Sequence, residues 1–194
     1  MRFDGVLMSM SRKALFLDRD GVINVNYGYV HKVKDFDFVN GIFDLTRAAL
    51  AKNYIIFVVT NQAGIGRGYY SEKDFHALTD WMCARFRSEG VLISKVYYSP
   101  YHPTHGVGKY KKNHNSRKPQ PGMLLQAINE FNIDAARSIL IGDQATDIQA
   151  AMAAGLGTKI YLGDSDISQD VCIDHYRKIS SLSEAEIFLK DESL

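Results

Sequence analysis

The sequence predicts an α/β fold: a doubly wound, mainly parallel sheet in one domain, with no large cap domain. Short, near-continuous apolar runs stand at residues 14–17, 54–60, 91–98 and 138–141, with a weaker fifth at 158–162. Runs of this kind mark parallel strands covered on both faces. Helical patterns alternate with them, as in βαβ units. Each run also ends in a polar cluster, where doubly wound sheets bind ligands.

In chain order, the run ALFL ends at Asp18, and a helix at 43–51 follows Gly41. The second run, YIIFVVT, ends at Thr60 and Asn61. A helix at 72–87 follows Ser71, an N-cap whose partner Asp74 completes an S-x-x-D capping box. Within it Phe75, Leu78, Met82 and Phe86 recur at helical spacing, so this stripe faces a core, with Trp81 and Cys83 beside it. A helix at 122–131 follows Pro121, and one at 146–154 stops at Gly155, a C′ glycine. Beyond Ser165 the pattern predicts one more short strand and a closing helix near 183–189. Two stretches fit neither pattern: 21–40 (GVINVNYGYVHKVKDFDFVN) and 99–119 (SPYHPTHGVGKYKKNHNSRKP). Loops this long inside a compact domain are usually lids or binding loops. The aromatics of the first, Tyr27, Tyr29, Phe36 and Phe38, are expected to pack it onto the domain. His31 is a weaker candidate for substrate contact.

With 194 residues, 46% of them hydrophobic, the chain suits one domain over 13–194 behind a flexible tail at 1–12. A net charge of +1 provides no global field for nucleic acid or an anionic membrane. The KYKK run at 109–112 reads as solvated surface. Cys83 and Cys172 cannot form a disulfide framework, which suits a reducing cytoplasm, and Cys172 has no partner that would make it a nucleophile. No apolar run approaches the roughly 20 residues of a membrane span. The opening MRFDGVLMSMSRK interrupts its apolar stretch with an acid and a glycine and does not read as a signal peptide. The expectation is a cytoplasmic monomer.

The strand ends carry the chemistry. After the first come Asp18, Arg19, Asp20 and Gly21; after the second, Thr60 and Asn61; after the third and its excursion, Arg117 and Lys118; after the fourth, Gly142 and Asp143, with Asp147 one helical turn on. Any one of these reads equally well as turn chemistry, a cap or solvated surface. Four strand ends that together deliver the parts of one phosphoryl-transfer site do not. A carboxylate attacks a dianionic phosphate monoester only if a cation offsets the repulsion, and Mg²⁺ takes one or two carboxylates with phosphate and water. Asp18 and Asp143 supply them, with the backbone carbonyl of Asp20 as a further oxygen. Asp18 then acts as nucleophile through an aspartyl-phosphate, and Asp20 as acid and base. Thr60 and Lys118 contact the phosphoryl oxygens, while Asp147 orients Lys118 or the waters of the metal.

These residues resemble the motifs of the haloacid dehalogenase (HAD) superfamily of aspartate-nucleophile phosphatases, from Ala14 to Leu162. FLDRDGVINVNYGYVH, VVTNQAGIGRGYYSEKDF, RKPQPGMLLQA and IGDQATDIQAA resemble in particular the heptose-bisphosphate phosphatases of bacterial surface-sugar biosynthesis. The resemblance implies removal of the C7 phosphate from a heptose 1,7-bisphosphate, in the supply of nucleotide-activated heptose for lipopolysaccharide or capsule. It also implies substrate contacts from Asn26, Tyr27, Gly28, Tyr29, Asn61, Gln62 and Ala63, beside Thr60. Arg117 would recognise the distal phosphate or the sugar, and Asp143 would hold Mg²⁺.

Two departures stand out. Relatives often carry a structural zinc in the second excursion, where this chain has Ser99, Tyr101, His114 and Ser116. No thiolate is left there, and structural zinc takes four good ligands, so the loop is expected to order without zinc. His102, His105 and His114 read as solvated. Gln144 stands where relatives commonly have lysine. A histidinol-phosphate or other small-molecule phosphatase is the nearest alternative. A nucleic-acid 3′-phosphatase fits the neutral charge poorly. A non-catalytic binding module does not need both Asp18 and Asp20, and a phosphotransferase needs a cap to keep water out.

Overall fold

The structure is a computed structural model that describes residues 11–172 and 175–190. Its core is one parallel sheet of six strands: β1 (Ala14–Leu17), β2 (Ile55–Asn61), β3 (Ile93–Ser99), β4 (Ile139–Gly142), β5 (Thr158–Leu162) and β6 (Arg177–Ile179). Their order is β3-β2-β1-β4-β5-β6. The chain therefore winds outward from β1 to one edge, returns, and winds from β4 to the other. The carboxyl ends of β1 and β4 are the switch point at which such sheets bind ligands.

Both central strands are buried throughout, and β1 shows why its four residues are all apolar. Leu15 and Leu17 enter one core with helices α1 (Ile42–Ala51) and α3 (Glu72–Ser88). Ala14 and Phe16 enter another with α4 (Gly122–Phe131) and α5 (Ala145–Ala153). Each such Leu or Phe contributes about 1.5–3 kcal/mol by leaving water. Helix α3 starts at the expected capping box, with Ser71 Oγ accepting from Asp74 N and Asp74 accepting from Ser71 N. Its buried residues are the stripe Phe75, Leu78, Met82 and Phe86, with Trp81 and Cys83 packed beside them.

The elements follow the sequence pattern closely, with bounds moving by one or two residues. Gly155 has φ +73°, as a C′ glycine does. Three features differ. The closing segment, Leu182–Phe188, is a 3₁₀ helix. A four-residue helix, α2 (Ala63–Gly66), follows β2 and is too short to show a period. Arg12, counted in the tail, donates its guanidinium and its backbone N–H to the main chain at Phe131 and Asn132. Residues 1–10 of that tail lie outside the described residues.

The first excursion folds back on itself, Val25 N–H donating to Asp37 O and Val39 N–H to Ile23 O. Phe36 and Phe38 anchor it, with ring centroids 5.5 and 5.8 Å from that of Trp81. Tyr27 does not pack as expected and stands 62% exposed, whereas Tyr29, 44% exposed, meets the ring of Tyr69 edge-on with centroids 4.8 Å apart. Gly28 and Tyr29, with φ +77° and +52°, form a turn that carries both side chains away from the core. The second excursion hangs from α3: Tyr98 and Tyr110 both donate to the Glu72 carboxylate. Val107 N–H adds a bond to Gly66 O. His114 stacks on Tyr101 with centroids 4.2 Å apart. Its Nδ1 meets Ser116 Oγ, which in turn donates to Ser99 Oγ. Among the described residues no helix is long and apolar enough to cross a membrane.

Candidate active site

Asp18 leaves β1 at its buried end, its N–H bound to Ile141 O of β4. Its Oδ1 accepts from Arg19 N–H at 2.7 Å and lies 2.9 Å from Lys118 Nζ. Lys118 is 3% exposed and also reaches Asp147 Oδ1 at 2.5 Å and Val59 O at 2.8 Å. Its main chain is clamped from β2: Asn61 Oδ1 accepts from Lys118 N–H and Asn61 Nδ2 donates to Lys118 O. The peptide bond to Pro119 is cis.

Asp143 follows β4. Its Oδ2 accepts from Gln144 Nε2 at 3.0 Å, while its Oδ1 is buried with no hydrogen-bond partner. Gln144 caps α5 through a reciprocal box with Asp147, whose Oδ2 accepts the Gln144 N–H. The residue in the place of the expected lysine therefore fixes two carboxylates without adding charge. Two glycines make room for them. A Cβ on Gly21, whose φ is +93°, would lie 2.2 Å from Asp143 Oδ2, and one on Gly142 would lie 2.2 Å from Asp147 Cβ.

Oxygens of Asp18, Asp143 and Asp147 converge within 4.8 Å of one another. Burial pushes Asp18 up to about 7, the neighbouring Asp147 adding to the rise and Lys118 opposing it. Burial, then the Asp18 charge, raises Asp143 to about 6, and Asp147 is raised by burial as well. For Lys118 burial acts downward, but Asp147 and Asp18 together outweigh it and hold the ammonium protonated well above its ordinary range. Three carboxylates around one ammonium leave two negative charges when all are ionised. A divalent cation matches that excess, and the orphaned Asp143 oxygen is a hard donor without another partner. The donor set fits Mg²⁺.

Asp20 lies beside this cluster, its carboxylate turned elsewhere. Arg19 Nη2 donates to both of its oxygens at 2.8 Å and to Val30 O at 2.7 Å. Asn24 Nδ2 donates to Oδ1 and Gln62 Nε2 to Oδ2. The cleft above holds about 250 Å³ and is lined by Asp18, Asp20, Asn26, Thr60, Arg117 and Lys118, among others. Arg117 donates to Tyr101 O, and half-burial, followed by the nearby Arg67 charge, lowers its proton affinity.

A HAD-hydrolase-like family model matches residues 115–172. The D-glycero-alpha-D-manno-heptose-1,7-bisphosphate 7-phosphatase of Burkholderia mallei is 53% identical over 160 residues, 82% of this chain and 85% of the relative. The chain belongs to this phosphatase family. The D-glycero-beta-D-manno-heptose-1,7-bisphosphate 7-phosphatase of Vibrio cholerae is 51% identical over 151 residues, covering 78% of this chain and 81% of the relative. Among solved structures, a HAD-like protein of Mesorhizobium loti has a TM-score of 0.82 at 32% identity, covering 94% of this chain and 90% of its own. The D,D-heptose 1,7-bisphosphate phosphatase of B. bronchiseptica, complexed with magnesium and phosphate, has a TM-score of 0.79 at 24% identity, covering 91% of this chain and 97% of its own, a likeness of fold.

In this phosphatase the cleft gathers Asp18, Asp20, Asn26, Gly28, Tyr29, Thr60, Asn61, Ala63, Arg117, Lys118, Asp143 and Asp147. Two expected contacts lie outside it. Tyr27 points to solvent and donates to Asp37. Gln62 is buried beneath the cleft floor, where its amide bridges Asp20 and Thr60. Asn61 lines the cleft, but its amide is committed to the Lys118 backbone. The Asp20 carboxylate does not join the acidic cluster, so its expected share in the metal site rests on its backbone carbonyl. Arg19 and Asn24 had gone unassigned. A charged residue just after an apolar strand looks solvated, and nothing local signals that Arg19 is 1% exposed.

Proposed function

We propose that the chain hydrolyses the C7 phosphate of D-glycero-D-manno-heptose 1,7-bisphosphate through an aspartyl-phosphate on Asp18, with magnesium. The product would keep its anomeric phosphate for nucleotide activation, in the supply of heptose for surface polysaccharide. The observation that carries this reading is Asp18 at the switch point, with both described hydrogen bonds on Oδ1. That leaves Oδ2 as the attacking oxygen.

Asp18, the Asp20 carbonyl and Asp143 would hold the metal, which supplies positive charge to offset repulsion between the attacking carboxylate and the phosphate. Lys118 favours the ionised form of Asp18 against the effect of burial and donates to the phosphoryl oxygens as charge develops. Thr60 Oγ1 accepts from Gln62, so its own proton is free to donate to the same group. Asp20 protonates the departing C7 alkoxide, then takes a proton from the water that attacks the aspartyl-phosphate. Asp147 holds Lys118 in register. Asn26, Gly28, Tyr29 and Ala63 border the sugar, and Arg117, with no carboxylate partner among the described residues, faces the distal phosphate.

Asp18→Asn lowers turnover of heptose 1,7-bisphosphate by about 10⁴-fold or more while the circular-dichroism melt stays cooperative. Wild-type turnover by that variant with magnesium present rejects the mechanism. Faster hydrolysis of histidinol phosphate than of the heptose bisphosphate moves the substrate assignment to the alternative. The loop at 99–119, held by its tyrosine, histidine and serine contacts, is read as ordering without zinc. Stoichiometric zinc in metal analysis of the purified protein overturns that. The chain is read as a cytoplasmic monomer.

A further inference from the structure

Beneath the cleft, between Asp20 and Thr60, sits a side chain to which the reaction as described gives no task. Gln62 is 1% exposed and donates from Nε2 to Asp20 Oδ2 at 3.1 Å and to Thr60 Oγ1 at 2.8 Å. Its Oε1 accepts from the Tyr70 hydroxyl at 2.6 Å. A primary amide has a donating and an accepting end of nearly equal shape, and its partners decide which way it faces. Turned round, Gln62 would set a carbonyl oxygen against the Asp20 carboxylate. It would also accept the Thr60 proton that the phosphoryl group needs. The Asp20 carboxylate, which only accepts, draws the donating end toward itself, and the Tyr70 hydroxyl then donates to the carbonyl end and anchors it there.

Tyr70 is built to stay in place. It is 7% exposed and packs with Ile65 and Phe75. Its ring stacks on His31 with centroids 4.9 Å apart and planes 6° apart. The ring occupies the space that a side chain on residue 64 would fill: a Cβ on Gly64 would lie 2.2 Å from Tyr70 Cε1. Burial raises the phenol to about 12, so it remains a donor through the neutral range.

We propose that Tyr70 is a positioning residue which, by anchoring the carbonyl end of the Gln62 amide, holds the donating end against Asp20 for proton transfer and against Thr60, whose proton stays free for the phosphoryl group. The inference rests on the phosphatase reading and deepens it. Its second consequence is that His31, stacked on Tyr70, supports the same unit from the first excursion and need not touch the substrate.

The test compares wild type with Tyr70→Phe on heptose 1,7-bisphosphate, whose alkoxide needs a proton to leave, and on p-nitrophenyl phosphate, whose phenolate does not. On the sugar, kcat falls about tenfold with KM changed by less than about twofold. On the aryl phosphate kcat/KM falls by about threefold or less, since up to formation of the aspartyl-phosphate only the Thr60 arm is felt there, and the Asp20 base serves both substrates in the later hydrolysis. The phenyl ring keeps the stack, so the melt stays cooperative, its midpoint lowered by about 2–12 °C for the Gln62 carbonyl left without a donor. Equal losses of kcat/KM on the two substrates, a change confined to KM, or no loss at all overturns the positioning role. Wild-type protein inert toward both substrates overturns the phosphatase reading, and the inference with it.

Discussion

Lys118→Met is the sharpest test of how the site is held together. The ammonium sits 2.9 Å from Asp18 Oδ1, 2.5 Å from Asp147 Oδ1 and 2.8 Å from Val59 O, with its side chain 3% exposed. Methionine fills similar volume and supplies no charge, leaving two buried carboxylates facing each other. Removing one partner of a buried ion pair costs about 3–5 kcal/mol. At about 2–4 °C per kcal/mol for a chain of this size, the metal-free variant melts roughly 6–20 °C below wild type near pH 7.5. The loss shrinks in acid. Asp18 and Asp147 already titrate above the ordinary 3.8, and losing Lys118 drives them higher. An acid raised in the folded state costs stability as pH climbs from its unfolded value through its folded one. The gap between variant and wild type is therefore smaller near pH 5 than near pH 7.5. Turnover falls by about 10²–10³-fold with the loss of the phosphoryl contact. Thermal scans in chelator at the two pH values read the effect. A variant that melts within about 2 °C of wild type near pH 7.5 refutes the claim that Lys118 balances this carboxylate cluster.

Two further outcomes follow from the same cluster. Gly21→Ala places a Cβ 2.2 Å from Asp143 Oδ2 on a backbone with φ +93°; displacement of that carboxylate weakens magnesium about 10–100-fold in a titration of activity, at a strain cost of about 1–3 kcal/mol in the melt. Unchanged magnesium dependence rejects the assignment of Asp143. Without divalent cation, wild-type stability falls as pH rises from about 4 to about 7, because folded Asp18, at about 7, and Asp143, at about 6, hold protons that the unfolded chain has released. Saturating magnesium binds the ionised form and reverses the slope; identical pH profiles with and without it contradict the metal site.

The sheet was legible because β1 and β4 are buried on both faces, which forces unbroken apolar runs, and because Gly41, Ser71, Pro121 and Gly155 punctuate the helices. The strand ends were legible for the same reason: once the strands are placed, Asp18, Thr60, Lys118 and Asp143 must share one edge. Less legible was where side chains at that edge turn. Spacing brings Asn61 and Gln62 to the cleft, but not that one clamps a lysine 57 residues away or that the other is committed to a tyrosine eight residues on. Tyr70 belongs to no catalytic pattern, and its place in the cleft wall, its bond to Gln62 and its packing against Gly64 and His31 emerge only in the fold. The aromatics of the first excursion divided, Phe36 and Phe38 inward, Tyr29 against Tyr69 at the surface and Tyr27 outward. Composition sees four similar rings, whereas the turn at Gly28 separates them.

The Asn61 clamp on Lys118 bears on how such a catalyst diversifies. It seats two consecutive residues with different duties: Lys118 faces the carboxylates, and Arg117 rides outward toward the mouth. The chemical half is locked by contacts from Asp18 at the end of β1, Val59 and Asn61 of β2 and Asp147 of α5. The outward half borders the two excursions, where insertions and replacements leave the sheet undisturbed. A lineage can therefore retune which sugar it admits while inheriting its bond-breaking apparatus intact. Relatives that share about half their residues with this chain yet carry the names of opposite anomers accord with that freedom, and exchanging the excursions between them is the direct way to move the preference.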